Sequence, residues 1–279
     1  MRPCPVPCRT RRDRYPGVRA VRILLIVVVA ALLAAIAPPP ALAVQQPSTA
    51  EARLLSLVND ARQGVGRVRL LWDDRLADVA QYRSDDMAKN NYFGHVSNWT
   101  DLIRAAGIKW HRLGETLAKT PPGDTALEAA AVAMGTWRKS QAHWDLLSSA
   151  DFNYIAIGMA QAKDGWYYWT AELLKGPDRT PPTASMLGAS FGGMVDGKRE
   201  VRLTYTGRDV RLSVLTAGLR DFKLQRKVGA GDWKTFTKWR AKTAKTVYLT
   251  PGKTYKFRVR ARDWAGNKSV WSVAITVQP

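Results

Sequence analysis

Cysteine is nearly absent: two residues in 279, Cys4 and Cys8, both close to the amino terminus. A disulfide scaffold and thiol catalysis are thereby excluded for everything downstream. Histidine is scarce as well, with three residues, His95, His111 and His143, so any imidazole chemistry rests on very few side chains. Acidic residues are outnumbered, 23 against 43 Lys and Arg, for a formal charge of +20. The apolar run at 23–37 stops at 15 residues, short of the ~20 that a membrane-spanning helix needs. With 46% hydrophobic and 24% charged residues, the chain can still bury a substantial core.

The positive charge is distributed unevenly. Residues 1–43 carry 7 basic and 1 acidic side chains, residues 44–176 carry 15 and 15, and residues 177–279 carry 21 and 7. A nucleic-acid protein, basic throughout, fits this distribution poorly. Seven arginines precede the apolar run, and Pro38-Pro39-Pro40 and Ala41-Leu42-Ala43 follow it. This pattern reads as a secretory signal peptide over 1–43, cut before Val44, with an uncleaved anchor as the second reading. Both cysteines would leave with it, and the mature protein is expected to be secreted, extracellular or attached to a cell surface.

Gly176-Pro177-Asp178-Arg179-Thr180-Pro181-Pro182 has three prolines and no apolar side chain other than theirs, which favours an extended, semi-rigid spacer over a helix or central strand. The expected organisation is therefore a domain at 44–176, a linker at 177–182 and a second domain at 183–279. In the first, Ser48 with Glu51 and Thr125 with Glu128 are capping-box signatures for helices carrying Leu54, Leu57 and Val58, and Ala129, Val132 and Trp137. Asp74 is a candidate cap for another helix, with Leu76, Val79, Ala80 and Met87 on one face, and a shorter helix runs from Asp101 to Gly107. Tyr154 to Ile157 and Trp166 to Thr170 flank Lys163-Asp164-Gly165 and read as a hairpin. The expected class is α+β. The intervals among His95, Glu115 and His143 match no local metal motif, so any site that uses them is assembled by the fold.

Leu54 to Arg62, Leu71-Trp72-Asp73-Asp74-Arg75-Leu76-Ala77, Tyr92-Phe93-Gly94-His95, Gly114-Glu115-Thr116-Leu117-Ala118, Trp137 with Ser140 and His143, and Ile155-Ala156-Ile157-Gly158 together resemble the CAP superfamily of cysteine-rich secretory, antigen 5 and pathogenesis-related proteins. The resemblance implies an α-β-α sandwich with a central cleft. In that family two histidines and two glutamates line the cleft, and in several members the histidines bind a divalent metal. It implies His95, His143 and Glu115 as ligands of zinc or another divalent metal, with Glu115 the candidate catalytic base. Ser140 stands where the second glutamate is usual and is a candidate ligand-binding residue; Thr116 and Trp144 replace the usual asparagine and arginine. Glu172 is a candidate replacement carboxylate.

The second domain reads as all-β, with about seven strands separated by Gly, Asp and Asn. Leu249 to Asp263, Gly266-Asn267 and Trp271-Ser272 resemble the end of a fibronectin type III domain, and Pro181-Pro182 suits its start. If Tyr255, Phe257, Val259 and Ala261 face the core, then Lys256, Arg258, Arg260 and Arg262 project from the outer face, beside Lys223 and Lys227 on a neighbouring strand. Such a ladder of like charge points to an anionic partner: acidic polysaccharide, wall polymer or lipid head groups.

Two function classes follow. One is a secreted CAP-like module that binds a metal, small lipid or other ligand in its cleft and is delivered to a surface by the basic domain. The other is an extracellular metal-assisted hydrolase of peptide or ester bonds using the same cleft. The chain has no mature cysteine to serve as a nucleophile, which favours binding.

Overall fold

Ser48 opens the first helix of the computed structural model, which describes residues 47–279; the expected signal segment, its cleavage site and both cysteines lie outside the described residues. Helix α1 (Thr49–Gly64) begins with the expected capping box: the Ser48 hydroxyl accepts from the Glu51 amide at 3.3 Å and the Glu51 carboxylate accepts from the Ser48 amide at 2.7 Å. Strand β1 (Leu71–Trp72) leads to α2 (Asp74–Asn90), capped by Asp73, one residue before the expected Asp74, because the Asp73 carboxylate reaches the Arg75 amide at 3.2 Å. Then come α3 (Trp99–Ala105), β2 (Arg112–Thr120), α4 (Ala126–Lys139) with its Thr125–Glu128 capping box, α5 (Gln141–Ser148), β3 (Tyr154–Gln161) and β4 (Tyr167–Lys175).

Four strands form one mixed sheet in the order β1-β3-β4-β2, with β1 parallel to β3 and the other pairs antiparallel. Helices α1 and α4 cover one face, where Leu54, Val58, Trp137, Trp169 and Leu173 form a buried cluster. Helices α2 and α3 cover the other, where Leu76, Ala80, Ile103, Tyr154 and Leu174 form a second. Every residue of β4 from Tyr167 to Leu174 is therefore buried, as expected of a strand with helices on both faces. The same double burial erases period-two alternation in β2, which the sequence reading did not anticipate.

No helix occurs in 183–279 among the described residues. Strands β5 (Thr183–Val195), β6 (Lys198–Arg208) and β9 (Ala244–Leu249) form one sheet; β11 (Ile275–Val277), β10 (Tyr255–Asp263), β7 (Leu219–Val228) and β8 (Lys234–Thr235) form the other. Val201, Leu203, Tyr205, Leu224, Phe257 and Val259 fill the space between them. The proline-rich joint is extended, as expected, but it is not free. Asp178 accepts from the Thr180 and Ala217 amides at 2.9 and 2.7 Å, Asn153 donates to the Gly176 and Val214 carbonyls, and Arg179 pairs with buried Asp73. Leu212, 4% exposed, and Val210 pack into the cluster beneath α2 and α3. Side chains from both halves thus share one core.

At Gly158, α2 and β3 are in backbone contact. A Cβ on Gly158 would lie 2.3 Å from the Ala80 carbonyl carbon and oxygen, and the Ser84 hydroxyl donates to the Gly158 carbonyl at 3.0 Å across the same contact. Because backbone rather than a flexible side chain blocks the space, Gly158→Ala is expected to destabilise the protein by at least the roughly 1–3 kcal/mol typical of overpacking. Urea denaturation monitored by circular dichroism measures this, and a midpoint equal to wild type would refute the contact.

Candidate functional site

The surroundings of His95 and Glu115 are built around a cation that the sequence reading did not single out. Arg83 occupies the apolar stripe of α2, four and seven residues on from Val79 and Leu76, and is completely buried. Its Nε donates to Glu115 Oε2 at 2.9 Å, one terminal nitrogen donates to the Tyr92 hydroxyl at 2.7 Å and the other to the Gly94 carbonyl at 2.9 Å. The Tyr92 hydroxyl in turn donates to Asp86. Asn91, in the left-handed conformation with φ 51°, ends α2 and turns the chain back so that Tyr92 to His95 wrap around the guanidinium. The legible signal was a charged residue at a core position of a helix, which demands a partner.

Glu115, on β2, has a side chain only 1% exposed. Its second oxygen, Oε1, lies 2.6 Å from His95 Nδ1. With Nδ1–H donating to the carboxylate, the Nε2 lone pair of His95 is left free, and the ring is half exposed, at 55%. Both carboxylate oxygens are thus engaged, so Glu115 orients an imidazole rather than facing open space.

His143 reaches the same region from the other side of the sheet edge. The Trp137 indole donates to the Leu117 carbonyl at 2.9 Å and pins the end of α4 to β2. Ser140, extended at φ −100° and ψ 117°, separates α4 from α5, and α5 carries His143. The Ser140 carbonyl accepts from the Trp144 amide, and its side chain makes no capping bond. His143 Nδ1 is buried without a hydrogen-bond partner. Burial, and then the nearby His95, push its pKa down, so the ring is neutral at neutral pH. His111 is exposed in the turn before β2.

Glu172 stands directly opposite Glu115 in the β2–β4 register and is fully buried, with neither oxygen meeting a donor. Burial, then the charge of Glu115, hold its pKa well above the carboxylate range, so it is a neutral acid facing an ionised one. Of the residues expected to form a metal centre, Glu115 lies against His95, and His143 is near enough to His95 for their charges to interact. Among the described residues, the group whose ligand atoms all lie within 4.8 Å is Asp178, Asp209 and Asp263. That group sits at the joint, where backbone amides of Thr180, Ala217, Val210 and Asn267 already engage its carboxylates.

The expected basic ladder has the anticipated register, with Lys256 opposite Lys227 and Arg260 opposite Lys223, but its arginines are only partly open to solvent. Arg258 lies between the Trp233 and Trp271 rings, 4.2 and 5.0 Å from their centroids, and Arg262 lies 4.4 Å from Trp239 while holding Asp221 at 2.7 Å. Arg260 donates to the Ser269 carbonyl at 2.6 Å. Tryptophans from the flanking loops close over the guanidinium groups, and cation–π attraction offsets part of the repulsion along the strand. Lys256 remains exposed.

Residues 55–173 match the model of the cysteine-rich secretory protein family, CAP. The chain is 29% identical over 133 residues to the Bacillus subtilis uncharacterized membrane protein YlbC, covering 46% of this chain and 35% of that protein. It is 29% identical over 123 residues to the B. subtilis uncharacterized protein YkwD, covering 43% of this chain and 46% of that one. It therefore spans between a third and a half of the curated relatives it matches. Among solved structures, an outer surface protein from Borrelia burgdorferi aligns over 47% of this chain and 96% of its own, with 18% identity and a TM-score of 0.41.

The buried carboxyl pair has a measurable signature. Glu172 keeps its proton when folded and loses it when unfolded. Its contribution to stability should therefore fall as pH rises above the ordinary value of 4.5, by up to about 1.4 kcal/mol per pH unit until the folded pKa is passed. Glu172→Gln should flatten this slope and be the more stable protein at mildly alkaline pH. Urea denaturation across that range tests it, and an unchanged slope would exclude a neutral Glu172.

Proposed function

Taking residues 55–173 as a CAP domain, we propose that this is an exported protein that binds a ligand in the His95–His143 cleft, with a divalent metal such as zinc held by the two imidazoles. We further propose that residues 183–279 form a fibronectin type III-like sandwich that attaches the protein to anionic polymers of a cell surface. The observation that carries the cleft reading is the 2.6 Å contact of His95 Nδ1 with Glu115. A carboxylate that holds one imidazole nitrogen fixes the tautomer and raises the basicity of the other, the usual arrangement behind a metal-bound histidine. The orphaned Nδ1 of His143 is a second polar atom in need of a partner, and its depressed pKa lets it accept a metal without proton competition. A bound metal would supply Lewis acidity toward a ligand oxygen. Glu115 would position His95 rather than ligate.

Binding is preferred over hydrolysis because, once both imidazoles hold the metal, neither buried carboxyl is left as a free base. Glu115 is committed to Arg83 and His95, and Glu172 is neutral; a hydrolase needs a group able to take a proton from water or substrate. Support for the sandwich reading comes from the strand orders β5-β6-β9 and β11-β10-β7-β8, three strands against four as in seven-stranded immunoglobulin-like folds.

Zinc titration of the purified protein at neutral pH, with elemental analysis of protein as isolated, tests the cleft. One equivalent is expected, His95→Ala or His143→Ala should abolish it, and Glu115→Gln should weaken it about 10–100-fold. Retention of zinc by the double histidine variant would overturn the assignment.

A further inference from the structure

We infer that the groove between the edge of the four-stranded sheet and the first strands of the β region binds a phosphodiester polyanion, gripped by arginines from both halves of the protein. The groove encloses about 550 Å³. Arg67 and Arg69, between α1 and β1, line one side, and Arg208 and Arg211, at and just beyond the end of β6, line the other; Asp209 is the single carboxylate among the lining residues. All four arginines are exposed. Arg67 donates to the Ser148 carbonyl and Arg69 pairs with Asp60, but no hydrogen bond or ion pair among the described residues engages the guanidinium of Arg208 or Arg211.

The charge beneath the groove strengthens the case. Arg62 is fully buried and donates only to the carbonyls of Val68, Leu147 and Ser149, so its positive charge has no acidic partner among the described residues. Burial and the charge of Arg67 lower its pKa to about 10, still far above neutrality. Asp209 is a single carboxylate against the four arginines that line the groove. A concave site in which positive charge predominates focuses field toward an anion, and guanidinium forks match the oxygens of phosphate in pairs. An open groove admits a linear chain lengthwise, whereas a flat bilayer could not reach its floor, which favours a polymer of phosphodiesters over a lipid surface.

The groove uses the β1 edge of the sheet and the histidine cleft uses β2, the opposite edge, so the two are independent. The inference deepens the proposed attachment to anionic polymers and rests on it for its ligand class, while assigning the grip to these arginines rather than to the tryptophan-covered ladder.

The test is calorimetric titration of the whole protein, at about 0.1 M salt where only close charge contacts survive screening, with three probes: poly(glycerol phosphate), inorganic phosphate and vesicles of phosphatidylcholine with phosphatidylglycerol. The polymer should bind tightest, and Arg208→Ala with Arg211→Ala should weaken it at least about tenfold, or 1.4 kcal/mol. Zinc binding should be unchanged in that variant, which also reports its folding. Arg208→Lys with Arg211→Lys, which keeps charge but removes the forks, should lose part of the affinity and provides the reading if the alanine variant fails to fold. Equal affinity for inorganic phosphate, or binding to vesicles alone, would overturn the polymer assignment. Polymer binding lost on Lys227→Glu with Lys256→Glu, but intact in the arginine variants, would overturn the groove and leave surface attachment standing; binding by none of the probes would overturn both.

Discussion

A buried guanidinium that must be satisfied organises the surroundings of His95. Arg83 cannot lose its charge and has no contact with water, so every donor needs a partner brought to it by the fold. Glu115 supplies the charge, Tyr92 a hydroxyl and Gly94 a carbonyl. Meeting those demands ties together a helix, a strand and the loop that carries His95. The imidazole is thereby held on a rigid support even though its ring is half open to solvent. The neutral Glu172 belongs to the same electrostatic arrangement: with one cation available, only one of the two facing carboxyls can be ionised at low cost.

The tight seam at Gly158 supplies the complementary constraint from packing. With no side chain there, α2 rests its backbone directly on β3, which places Arg83 at the right depth over the sheet to meet Glu115. Trp137 does the equivalent work on the opposite face through its bond to the Leu117 carbonyl, anchoring the helix end that leads through Ser140 to His143. The two imidazoles thus approach from separate helical layers, each positioned by a bond to β2 or its neighbour.

The β region is bound to this body by more than a tether. Asp178, Asn153, Arg179 and Leu212 knit the joint into the core of the first half, so a groove lined from both sides keeps a fixed width. The two candidate sites are also separated by geometry, with the histidines near β2 at one edge of the sheet and the groove arginines near β1 at the other. On the outer face of β10, in contrast, tryptophans consume much of the charge that alternation alone would have left exposed.

What local spacing encodes was readable from the residues themselves. Both capping boxes, the hairpin of β3 and β4, the all-strand character after Pro182 and the outward face of Lys256, Arg258, Arg260 and Arg262 follow from interactions reaching at most a few positions along the chain. The His95, Glu115 and His143 set was legible only through resemblance, since no short-range pattern links positions 20 and 48 residues apart. Tertiary structure alone decided that Glu115 holds an imidazole instead of facing a ligand, that Glu172 is neutral, that tryptophans close over the arginine ladder and that Arg208 and Arg211 meet Arg67 and Arg69 across a groove. Each of these depends on which side chains become neighbours and how much water remains between them, and burial and distance are properties of the packed molecule, not of the order of its residues.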